Sequence, residues 1–66
     1  MTETAYFIED RALSLAYEAV QFPEIVPPAL VWLHMAMAWA KRHGMYCLEK
    51  KLRAAVQRIE SARVPA

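Results

Sequence analysis

The sequence predicts an all-α protein, an antiparallel helical hairpin that pairs with a second copy to form a homodimeric four-helix bundle. Three observations carry this expectation. Two segments, 5–22 and 28–62, repeat apolar residues at steps of three and four, the spacing of a helix face. A stiff link, Pro23-Glu24-Ile25-Val26-Pro27-Pro28, separates them. Hydrophobic residues make up 58% of only 66 residues, more than so small a monomer can hide. The whole chain, 1–66, reads as one helical domain.

In the first segment, Thr4 is a candidate N-cap, although Phe7 occupies the position where a capping box needs Glu or Gln. Ile8, Ala12, Leu15, Ala19 and Phe22 form one stripe, and Tyr6, Leu13, Tyr17 and Val20 form a second lying roughly opposite. Asp10, Arg11, Ser14, Glu18 and Gln21 share the remaining arc of about 100°. Pro23 then stops the helix, because it lacks an N–H and disfavours helical geometry at Phe22. Pro28 suits the first turn of a new helix, and Ile25 and Val26 are placed to cap the bundle end.

The stretch Ala29 to Ala40 is apolar at every position except His34, the pattern of a helix buried nearly all round. One stripe runs Leu30, Leu33, Met37, Ala40, Gly44; the other runs Trp32, Met35, Trp39, Arg42, Tyr46. A lone hairpin covers one of these sides and leaves the other in water. His34 is expected as a buried histidine satisfied by a carboxylate such as Asp10 or Glu18, with a pH-sensing role as the alternative.

Gly44 is the main architectural ambiguity. Lys41-Arg42-His43-Gly44 has the cations and the glycine of a helix C-terminus. No Ser, Thr, Asp or Asn follows to start another helix, and a glycine inside a helix costs only about 1 kcal/mol. The expectation is therefore one long helix, 28–62, with a kink allowed at Gly44 and a break as the alternative. Its far half would overhang the first helix and need a second subunit to cover it. Glu49 and Arg53 are an i,i+4 pair on this half.

Charge is unevenly spread, with residues 1–40 at net −4 and residues 41–66 at net +5. An acidic first helix lying against a basic last one accounts for this; a basic tail for nucleic acid is the competing account. The single cysteine, Cys47, excludes an internal disulfide, and the N-terminus carries acids where a signal peptide needs bases. Both point to a cytoplasmic location. The apolar run 25–40 is too short for the roughly 20 residues of a spanning helix, which makes a membrane-active peptide a lesser reading.

Chemistry is sparse. His43 and Cys47, at i,i+4, offer two ligands where structural zinc needs four, so neither a metal nor a cofactor is expected. With one glycine there is no phosphate loop, and Cys47 has no identifiable orienting group beyond His43, so no enzyme is expected. The expected function is a non-catalytic protein-interaction module that binds and inhibits or modulates a larger protein, such as a transcription regulator or an ATPase. Its expected binding face is Trp32, Met35, Trp39, Arg42 and Tyr46 with Arg53 at the rim, residue types that dominate interface hot spots. Ile8, Leu15, Phe22, Leu33 and Met37 are expected to hold the hairpin and the dimer together. The alternative is a nucleic-acid-binding regulator using Arg42, Lys50, Lys51, Arg53 and Arg58; these residues do not line up on one side of the long-helix wheel, and base-reading amides are scarce.

Overall fold

The computed structural model describes residues 3–63, which form three α-helices and one short 3₁₀ turn. Helix α1 runs Glu3–Gln21, the turn Pro23–Ile25, α2 Val26–Arg42 and α3 Tyr46–Arg63. The all-helical class is as expected, with three helices in place of two. Thr4 lies within α1 rather than capping it. The molecule measures 36 × 17 × 15 Å, little longer than the about 28 Å that a helix of 19 residues spans. All three helices therefore lie side by side, and each touches the other two.

Pro23 acts as the sequence predicts. Phe22 takes an extended conformation (φ −124°, ψ 92°) and its N–H donates to the Glu18 carbonyl at 2.7 Å, closing α1. Proline in the first turn of α2 fits because those N–H groups have no intrahelical partner to lose. Val26 is buried and Ile25 half-buried at this end.

The long helix is overturned at Gly44. Gly44 adopts φ 68°, and its N–H donates to the Lys41 carbonyl at 3.1 Å. The Met45 N–H donates to the Ala40 carbonyl at 2.9 Å. This pair of bonds is the Schellman termination of a helix, with Met45 packed back against the core. Helix α3 then begins without a capping side chain: the Glu49 N–H donates to the Met45 carbonyl at 3.0 Å, and Glu49 places an acid in the first turn.

Magnitudes explain why the break wins. Running the helix through Gly44 would cost about 1 kcal/mol, a small penalty. Folding back, however, buries Leu48, Leu52, Val56 and Ile59, each worth about 1.5–3 kcal/mol when removed from water. No overhang remains, and α3 supplies cover that a two-helix hairpin lacks.

The core is wholly apolar: among the described residues no polar or charged side chain is buried. Ile8 and Leu15 of α1, Leu33 of α2 and Leu48, Leu52 and Ile59 of α3 are its larger members. Alanines fill much of the remainder, at positions 5, 12, 16, 19, 29, 36, 40 and 55. Such small side chains let helix axes approach toward the near end of the usual 8–10 Å range.

Candidate interaction surface

Helix α2 is buried on one side rather than all round. Ala29, Leu33, Ala36 and Ala40 face the core, while Leu30, Trp32, Met37 and Trp39 are half-buried on its two flanks. Opposite the core lie Val31, Met35 and Ala38, exposed and spaced at four and three residues, and Arg42 ends the row. Val31 is 60% and Met35 69% exposed. A helix in this position ordinarily shows charges outward; between Ile25 and Ala40 this one has only His34.

His34 is exposed, which corrects the expectation of a buried, carboxylate-bonded histidine. It follows Leu33, and one step of about 100° carries it off the core side. Cys47 is likewise an exposed thiol. Among the described residues, no three His, Cys, Asp or Glu side chains stand where they could share a metal ion.

The break at Gly44 divides the expected binding face. Trp32, Met35, Trp39 and Arg42 stay together on α2, while Tyr46 and Arg53 belong to α3. Tyr46 opens α3 with 72% of its surface exposed. The Arg53 Nη2 donates to the Glu49 Oε2 at 3.3 Å, on the same helix. Trp39 stacks on His43 with ring centroids 4.4 Å apart and planes at 37°, which fixes the indole near the end of α2. Of the residues expected to hold the hairpin and the dimer, Ile8, Leu15 and Leu33 are buried and Met37 packs against the core. Phe22 is 49% exposed, because the extended backbone forced by Pro23 turns the chain outward there.

A second apolar row lies on α1. Tyr6, Leu13, Tyr17 and Val20 are exposed by 59, 57, 65 and 44%. Beside it runs a groove of about 300 Å³ between α1 and α3, with Ala12, Ala16, Leu52 and Ala55 along it. Its rim carries Leu13, Glu9, Lys51 and Arg58. The Lys51 Nζ donates to the Glu9 Oε1 at 2.7 Å, and this hydrogen bond and the carboxylate charge raise the Lys51 pKa above its ordinary 10.5. Sequence reasoning found the α1 row but not the groove, since only the return of α3 places those two helices together.

Basic residues are split among several surfaces. Lys51 and Arg58 border the groove, Arg53 is engaged with Glu49, and Arg42 belongs to α2. Among the described residues, no helix is long and apolar enough to cross a membrane. Comparison of the chain with known protein families, curated proteins and solved structures finds no match.

Proposed function

We propose that this chain is a non-catalytic interaction module, associating with itself and docking onto a larger protein whose activity it inhibits or modulates. The supporting observation is the outward row Val31, Met35 and Ala38, left uncovered after the three helices have completed their core. Half-buried Trp32 and Trp39 flank it, and Lys41 and Arg42 close one end. Wide apolar area with cations at the edge fits a partner groove that is apolar within and acidic at its rim. The second apolar row, on α1, supports self-association. In this reading α1 and α2 form the antiparallel hairpin, and α3 completes the protomer.

Affinity capture from native host extract tests the docking role, comparing wild type with Met35→Glu and Trp39→Ala after circular dichroism confirms folding. Loss of one retained protein with Met35→Glu is the expected result. Retrieval of the same proteins by folded variants of both kinds would remove this face from the proposal. Binding to duplex DNA is the competing outcome, recognised by affinity that falls steeply with salt.

A further inference from the structure

We propose that the groove between α1 and α3 is the seat of a second copy of this chain, α1 against α1 about a two-fold axis at Leu13. The inference rests on the self-association read above and says where that association occurs. The exposed row is symmetric about Leu13: Tyr6 precedes it by seven residues and Val20 follows by seven, while Glu9 and Tyr17 stand four to either side. A two-fold axis there sets Tyr6 against the partner's Val20, and Tyr17 against the partner's Glu9. One patch thus supplies both ridge and groove, as an isologous interface requires.

Charge selects the occupant. Helix α1 is net −3, and the α3 side of the groove carries Lys51 and Arg58, so an α1 arriving there meets cations along that side. The Glu9–Lys51 bond links the two helices at an offset of 42 residues, and Ala16 and Arg58, at the same offset, both line the groove. Reflected through Leu13, the level of Ala16 falls at the partner's Asp10. Arg58 has no ion pair within its own chain among the described residues, and this arrangement provides one across the interface.

Sedimentation equilibrium across a concentration series, with oxidative cross-linking, tests the proposal. Wild type is expected to dimerise. Leu13→Asp, at an exposed position, should raise the dimer Kd at least tenfold with helicity unchanged; Arg58→Glu should raise it less, by a factor that shrinks in high salt; Met35→Glu should leave it unaltered. Leu13→Cys in a Cys47→Ser background should form an intermolecular disulfide, and Met35→Cys in that background should not. A dimer insensitive to Leu13→Asp and Arg58→Glu would overturn the groove assignment while leaving self-association intact. A wild type that remains monomeric at millimolar concentration would overturn both.

Discussion

Helices α2 and α3 present equally apolar faces to the core and opposite characters to solvent. Outward, α2 shows Val31, Met35 and Ala38, whereas α3 shows Lys50, Arg53, Gln57 and Glu60. A helix used only to complete a core has no need of apolar residues on its far side, and α3 has few. The contrast separates the two jobs of a hydrophobic residue in so short a chain. In α3 they close the protomer; in α2 a second set remains available to something else.

The sharpest way to break the comparison is to remove a buried side chain from α3. Leu52→Ala is expected to cost about 2–5 kcal/mol in urea unfolding at low protein concentration, because Leu52 is fully buried within one protomer. A loss of less than about 1 kcal/mol would mean that α3 packs against nothing in the monomer. Next in size is Gly44→Ala, where the sign is decisive. At φ 68° alanine is expected to destabilise by about 1–2 kcal/mol even though no atom lies within 4 Å of the added Cβ. Were the helix continuous there, the same change would stabilise by roughly 1 kcal/mol.

Smaller effects sharpen the outer faces. Met35→Glu is expected to alter stability by less than about 0.5 kcal/mol, since the side chain is exposed, while abolishing partner capture. Arg53→Ala should cost no more than about 0.5 kcal/mol, the scale of an exposed i,i+4 pair. The Glu9–Lys51 pair gives the smallest signal. Its raised lysine pKa means that its contribution is whole below the unfolded value near 10.5 and is lost as pH climbs through the folded value. A melting profile of Lys51→Met should therefore converge on wild type in strong alkali and differ slightly at neutrality.

How much of this was legible in the sequence follows from how local each feature is. Pro23 speaks through its own ring, and the stripe through Ile8 and Leu15 through simple periodicity, so α1 and its end were readable. Gly44 was not settled by its neighbours. Its local preference amounts to about 1 kcal/mol, and Met45 provides no capping side chain to announce a new helix. The decision was made by Leu48, Leu52 and Ile59, whose burial depends on helices distant in sequence. His34 failed for a related reason: a nearly uninterrupted apolar run hides which of its sides faces inward. The groove could not be read at all, because Glu9 and Lys51 lie 42 residues apart.

Among the described residues alanine occupies half of the sixteen buried positions, which bears on how the protein melts. A methyl group displaces little water, so unfolding releases a modest hydration signal per residue. For 66 residues the usual scale is a heat-capacity increment of about 0.8–1.0 kcal/mol/K and a midpoint enthalpy of about 46 kcal/mol. A methyl-rich interior belongs at or below those figures. Calorimetry should accordingly record a low, wide endotherm, and the temperature range over which the fold is held will be set by its few leucines and isoleucines.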